Sequence, residues 1–305
     1  MLIGFDIGGT KIEVCVLDEN GASYFKKRAA TPDSYSLFLD TISELVIDAE
    51  TMVNYSFAHV GLGLPGTISP ATGLMKNANC TFINGHDLLS DLSAKLNKQV
   101  YIANDANCFA LSEAIDGAGQ KGRLVFGAIL GTGCGGGIVF NKTLWEGPNA
   151  LGGEWGHNPL PNFSPVKDGE ARSCYCGKYN CIEQFISGTG LEKTYSAYTQ
   201  ASLSAPDIIE AMRSNDTTAL AVYKTLIDQM ARSFAAVINM MDPDVIVIGG
   251  GLSNVEEICT DLPNQIEQYI FGNELKTNIK IAEYGDSSGI RGAAQLAKSF
   301  IQVNI

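Results

Sequence analysis

No G-x-x-x-x-G-K-[ST] segment occurs in these 305 residues, which excludes the best-known phosphate-binding loop. Basic residues are few: 21 Lys and Arg against 33 Asp and Glu give a net charge of −12, which argues against broad binding to nucleic acid or anionic membrane. No apolar run is long enough to span a bilayer, and the opening Met1-Leu2-Ile3-Gly4-Phe5-Asp6 has neither the basic nor the apolar region of a leader. A reducing, cytoplasmic setting is therefore expected. Pro- or Ser-rich linkers and low-complexity tracts are also missing, so nothing marks a third domain. What remains is 45% hydrophobic and 18% charged, ordinary for a globular protein of one large or two medium domains, and the expected partner is small.

Against that background two glycine-rich turns stand out, about 120 residues apart. They are Ile3-Gly4-Phe5-Asp6-Ile7-Gly8-Gly9-Thr10-Lys11 and Ala128-Ile129-Leu130-Gly131-Thr132-Gly133-Cys134-Gly135-Gly136-Gly137. Each reads as strand, tight turn, strand, with Ile12 to Leu17 and Ile138 to Phe140 as second arms. Glycines let a backbone approach a ligand closely and turn its N–H groups toward one point, and Thr10 and Thr132 add hydroxyls, so each turn can hold phosphate. The second turn satisfies G-x-G-x-x-G, yet a dinucleotide fingerprint needs a helix next and a strand-like segment follows instead. Gly61-Leu62-Gly63-Leu64-Pro65-Gly66 fits the same spacing, which shows how little the spacing means alone. A single such turn is as readily a plain hairpin.

Eight cysteines need a reducing-compartment explanation. Cys15, Cys80, Cys108, Cys134 and Cys259 lie singly in apolar or motif segments and read as small buried hydrophobes. The other three crowd into Cys174-Tyr175-Cys176-Gly177-Lys178-Tyr179-Asn180-Cys181, and His157, one of three histidines, lies upstream. Three thiolates and an imidazole make a tetrahedral zinc set, structural because no position is left for water. The single-residue spacing of Cys174 and Cys176 leaves unmetallated thiols as the alternative. Glu154 and Glu183 sit beside this set and are candidate acceptors for vicinal hydroxyls; otherwise they are solvated charges.

A third cluster follows the strand pattern Val100 to Ala103. Asn104-Asp105-Ala106-Asn107 places Asp105 at a strand's carboxyl end and a helix start, where ligands of α/β folds gather. Asp105 is a candidate general base, and helix capping by Asn104 or Asp105 is the plainer alternative.

Taken together, Asp6-Ile7-Gly8-Gly9-Thr10-Lys11, Gly63-Leu64-Pro65-Gly66, Asn104-Asp105-Ala106-Asn107, Leu130-Gly131-Thr132-Gly133, Gly153-Glu154-Trp155-Gly156-His157, the Cys174 to Glu183 segment and Val247-Ile248-Gly249-Gly250-Gly251 resemble, in order and over essentially the whole chain, the ROK family of bacterial sugar kinases. The resemblance implies a two-domain, actin-like (hexokinase-like) α/β fold with a deep cleft. Its domains are expected at 1–117 plus 289–305 and at 118–288, the latter holding the zinc loop. It further implies ATP, Mg²⁺ and structural Zn²⁺, a hexose substrate phosphorylated at its 6-position, and a homodimer. ATP falls to Gly4, Asp6, Gly8, Gly9, Thr10, Lys11, Gly131, Thr132, Gly133, Gly249, Gly250 and Gly251, with Asp6 organising magnesium. Sugar falls to Gly66, Asn79, Asn104, Asp105, Glu154, His157 and Glu183. Zinc falls to His157, Cys174, Cys176 and Cys181, so His157 would use one ring nitrogen for zinc and the other for sugar.

The stretches Lys76 to Thr81, Gly153 to Pro161 and Gly285 to Gly292 look most like the fructokinase and mannofructokinase branch, so fructose or mannose is the expected substrate. N-acetylglucosamine kinase is second, with glucokinase also possible. The family's repressors carry a DNA-binding domain before the kinase-like part; with the first turn at residue 4 and an acidic chain, that reading is not expected. A sugar sensor without turnover is the other non-enzyme alternative, which a retained Asp105 disfavours.

Overall fold

The computed structural model describes residues 1–303, the side chains through Lys298. The chain divides into two compact units. The first comprises residues 1–121, 137–153 and 283 onward; the second comprises 122–136 and 154–282.

In the first unit, β1 (Leu2–Ile7) and β2 (Lys11–Leu17) form an antiparallel hairpin, and β3 (Ser23–Ala30) adds an outer strand. Helix α1 (Tyr35–Val53) leads to β4 (His59–Leu64), the small pair β5 (Thr67–Ile68) and β6 (Met75–Lys76), helix α2 (Leu88–Leu96), β7 (Gln99–Asn104) and helix α3 (Asp105–Ile115). The sheet order is β3-β2-β1-β4-β7, with β1, β4 and β7 parallel. Phe5, Ile7, Val14, Phe38, Ile42, Leu62 and Leu64 fill the core beneath it.

The second unit opens on β8 (Leu124–Leu130), and β9 (Cys134–Phe140) carries the chain back into the first unit, where it pairs antiparallel with β10 (Thr143–Leu144). Next come the short α4 (Pro165–Asp168) and α5 (Glu183–Ile186), then α6 (Gly188–Thr199), α7 (Ala205–Arg213), the long α8 (Thr217–Met241), β11 (Val245–Gly249), α9 (Glu256–Ile266) and β12 (Asn278–Ile281). Strands β8, β11 and β12 are parallel neighbours in the order β8-β11-β12. Buried Arg232 of α8 reaches Asp168 at 2.5 Å and the Pro161 carbonyl at 2.6 Å, tying the segment ahead of the cysteines to the helical layer.

Helix α10 (Ser288–Val303) belongs to the first unit and lies on β1, β4 and α3. Its approach and that of α3 explain several glycines. A Cβ on Gly61 would overlap the Ala293 carbonyl, one on Gly63 would come within 3.0 Å of Cys108 Sγ, and one on Gly4 would overlap Ala294. The chance-looking spacing of Gly61 and Gly63 is thus a helix seat. At the far end of α3, Glu113 is fully buried and accepts from four donors: the N–H groups of Ala118 (2.9 Å), Glu283 (3.0 Å) and Tyr284 (3.3 Å), and Ser288 Oγ (2.7 Å). One carboxylate therefore fastens both the segment that leaves the first unit and the segment that returns to it.

Candidate functional site

Parallel β1, β4 and β7 bring their carboxyl ends to one edge, with Asp6 in register with Gly63 and Leu64 with Asn104. Asp6, the Gly66 turn and Asn104-Asp105 therefore share the edge where α/β folds gather ligands. Gly8 N–H is spent within the hairpin, donating to the Lys11 carbonyl at 2.9 Å, while Gly8 O accepts from Thr31 Oγ1 at 2.7 Å. Gly9, Thr10 and Lys11 are exposed at the tip, and Gly4 lies inside the strand beneath α10. Lys11 Nζ stands 4.0 Å from Glu13, a buried carboxylate also held by Lys26 and Arg28 at 2.6 Å. Burial opposes the charge on Glu13, but those two cations keep its pKa below the ordinary value.

Asn104 is the N-cap of α3, its Oδ1 accepting from Ala106 N–H at 2.9 Å, and Asp105 is the first residue of that helix, accepting from the same N–H at 2.9 Å. Solvent still reaches Asp105, yet the protein around it raises its pKa, more than the N–H groups of Ala106 and Asp105 and the Asn104 side chain lower it. Asp6 is raised as well, by burial first and by the charge of Asp105 second. Gly66 adopts φ +103°, and a Cβ there would stand 2.7 Å from the Lys76 carbonyl, so only glycine lets this turn lie against the segment leading to exposed Asn79. Asn84, unremarkable in the sequence, braces that segment by bonding both N–H and C=O of Ala78 at 2.9 and 3.0 Å.

In the second unit, Gly131 N–H closes its turn on the Gly133 carbonyl (3.0 Å), and Gly131 O accepts from Gly188 N–H (2.7 Å). Cys134 N–H donates to Glu183 Oε2 at 3.1 Å, and a Cβ on Gly133 would come within 2.7 Å of that oxygen. The candidate hydroxyl acceptor Glu183 therefore rests directly on the candidate phosphate turn. Gly249 pairs with Ile129, and Gly250, at φ +77°, packs on Leu130 and Gly131. The second and third glycine turns are side by side at the ends of adjacent parallel strands. Beyond the third lies a cavity of about 620 Å³ lined by Arg213, Asn254, Glu256, Glu257, Thr260 and Asp261. Nothing in the sequence marked those residues, of which five lie within 254–261 and Arg213 comes from α7.

The four candidate zinc ligands come together with all ligating atoms within 4.8 Å of one another. Cys174 Sγ lies 3.6 Å from His157 Nδ1, and Cys176 Sγ lies 3.6 Å from Cys181 Sγ. A Zn–S bond of about 2.3 Å implies tetrahedron edges of about 3.8 Å, so the set fits zinc. The Cys176 thiol is held below its ordinary pKa, chiefly by the Lys178 backbone N–H. His157 closes the three-residue 3₁₀ turn Trp155–His157, with exposed Glu154 just before it. Its Nε2 lies 2.9 Å from Tyr175 Oη.

Arg172, two residues before Cys174, donates to the carbonyls of Gln184 (2.6 Å) and Gly190 (3.1 Å) and to Thr194 Oγ1 (3.0 Å), and lies 4.4 Å over the Phe185 ring. Burial lowers its pKa to about 10. It clamps the α5–α6 elbow that carries Glu183, and no pattern in the sequence pointed to it. The remaining cysteines are buried, with Cys259 half-buried, and all are free of disulfides. No helix among the described residues is long and apolar enough to cross a membrane.

Relatives of known name extend over almost all of the chain. N-acetyl-D-glucosamine kinases of Escherichia coli and Shigella flexneri are each 41% identical over 300 residues, spanning 97% of this chain and 99% of theirs. The ROK hexokinase of Thermus thermophilus shares the fold with a TM-score of 0.86 at 25% identity over 99% of both chains. A ROK family glucokinase from Streptomyces griseus, solved in complex with glucose and AMPPNP, gives a TM-score of 0.75 at 27% identity over 97% of this chain and 99% of that one. The ROK family model itself matches residues 2–300, and with that coverage the chain belongs to the ROK family.

Proposed function

We propose that this protein is an ATP-dependent sugar kinase whose substrate is N-acetyl-D-glucosamine, phosphorylated at the 6-hydroxyl. The observation that carries the choice of sugar is the 41% identity to N-acetyl-D-glucosamine kinases over nearly the full length of both chains. It favours the second of the readings drawn from the sequence over fructose or mannose. Kinase chemistry is supported by Asp105, whose raised pKa suits a base taking the sugar's hydroxyl proton as phosphate is transferred. Asp6 would hold magnesium, since nearby Asp105 raises its pKa and a divalent ion relieves such repulsion. Bound there, magnesium neutralises charge developing on the phosphates.

Gly9, Thr10 and Lys11, and the Gly131–Gly133 turn, are assigned to the phosphates. The cavity beyond Gly251 is assigned to adenosine, because it adjoins the third glycine turn and offers carboxylates for ribose hydroxyls. Asn79, Asn104, Glu154, His157 and Glu183 are the proposed sugar contacts, and zinc on His157, Cys174, Cys176 and Cys181 would hold two of them in register. The homodimer implied by the family resemblance is part of the same proposal.

The test is kcat/KM with ATP and magnesium for N-acetylglucosamine, glucose, mannose and fructose. The proposal expects N-acetylglucosamine to lead by at least about tenfold, the order of one or two well-made contacts. Fructose or mannose in first place would restore the other branch, and binding without turnover would leave a sensor.

A further inference from the structure

Tyr175 is the single residue between two candidate zinc ligands, Cys174 and Cys176, and its side chain is 82% exposed. Its hydroxyl lies 2.9 Å from His157 Nε2, and its ring meets the imidazole edge-on at 5.1 Å and 89°. The same residue lines a cavity of about 270 Å³ with Thr132, Gly133, Glu183, Ser187 and Lys193. So the tyrosine reaches from the zinc loop into the space beside the second glycine turn.

With Nδ1 on a metal, an imidazole keeps its proton on Nε2, and that proton needs an acceptor. We propose that the Tyr175 hydroxyl is an internal stand-in for the substrate: it occupies the point on His157 Nε2 that a sugar hydroxyl must take, and swings aside when sugar binds. The inference rests on the proposed role of His157 as a sugar contact.

The exchange is physically simple. Ligands on both sides pin the backbone at Tyr175, so only the side chain need turn. High exposure means that little packing is lost on leaving, and the hydrogen bond and ring-edge contact to His157 are what hold the tyrosine. Tyr175 therefore acts as an internal competitor. Any ligand that uses His157 must first displace the tyrosine, so its apparent affinity is lowered by the fraction of His157 that the tyrosine holds.

The experiment is calorimetric titration of N-acetylglucosamine into zinc-loaded wild type and Tyr175→Phe, with zinc content measured on both. Removing the competing hydroxyl while keeping the ring is expected to tighten binding about fivefold, the equivalent of one neutral hydrogen bond. In wild type carrying ¹³C-labelled tyrosine, the Tyr175 ring signal, assigned by its loss in Tyr175→Phe, is expected to shift when sugar is added. Unchanged or weaker binding by Tyr175→Phe at equal zinc content, or a Tyr175 signal that ignores the sugar, would overturn the inference. Wild type that neither binds nor phosphorylates any of the four hexoses would instead overturn the proposed function.

Discussion

Two acids in the first unit, Asp6 and Asp105, both have raised pKa values, Asp105 by burial and Asp6 by burial and then by the charge of Asp105, and that has a direct kinetic reading. Asp105→Asn is expected to cut kcat by about 10²- to 10⁴-fold while KM for sugar and ATP changes little, because the side chain keeps its shape and loses only the ability to take a proton. Full turnover by that variant would remove Asp105 as the base. The pH profile follows from the direction of the shift. The proposed base must be deprotonated to act and the pKa of Asp105 is raised, so activity should fall with acidification at a higher pH than an ordinary carboxylate would give. A profile flat down to the ordinary carboxylate range would contradict this. Buried Glu113 supplies the stability counterpart. Glu113→Gln turns a pure acceptor into a group with an N–H₂ facing N–H donors, and a loss of about 2 kcal/mol in denaturant unfolding is expected. An unaltered midpoint would mean that its four hydrogen bonds add nothing net.

Elements differ in how plainly the sequence announced them. The sequence predicts strands at 2–7 and 124–130 and helices at about 34–52, 105–116 and 216–241; β1 and β8 have those limits and α1, α3 and α8 lie within a residue of them, because each carries a sustained apolar period ended by polar or Asn/Asp signals. The sheet-edge strand β3 was missed: Ser-Tyr-Phe-Lys-Lys-Arg-Ala-Ala is mostly exposed, so no alternation of apolar and polar residues reveals it. Helix α6 was missed because it opens on Gly-Thr-Gly and its polar residues dilute the period. Residues destined for the candidate site were readable where chemistry demands particular types, as with Asp105 and the Cys–His set. Arg172 and Tyr175 were not, since a clamp on carbonyls and a stand-in hydroxyl depend on what folding brings near, which spacing does not encode.

The cysteine loop and the α5–α6 elbow form one element with two fasteners, Arg172 and, as proposed, a zinc ion, and the two can be separated. Chelation is expected to weaken sugar binding several-fold more than ATP binding, because His157 and Glu183 depend on that loop, and calorimetry with both ligands measures it. Equal losses would deny the local role. Arg172→Met should keep its zinc and still raise the sugar KM by about tenfold, the worth of a charged hydrogen bond, while the ATP KM moves less than about twofold. Arg172→Lys should fall between, since an ammonium cannot span both carbonyls and Thr194. Parallel loss of zinc would make Arg172 merely structural.

At the scale of the whole molecule, the chain leaves the first unit and returns to it more than once, and the last return supplies α10, whose Ala293 and Ala294 sit on the glycines of β4 and β1. A Gly61→Val variant, whose side chain would collide with the Ala293 carbonyl, is expected to unfold at markedly lower temperature and to free α10 for early proteolysis; normal protease resistance would contradict that packing. The same seat has a consequence for how the protein is born. During synthesis the strands of the first unit emerge early, but the helix that covers them, and the donors from Glu283, Tyr284 and Ser288 that satisfy Glu113, follow only after the second unit has been made. The first unit is therefore completed last. The nascent chain must carry an open apolar sheet until its final segment arrives, so a stall or truncation before α10 leaves that sheet uncovered and ready to aggregate.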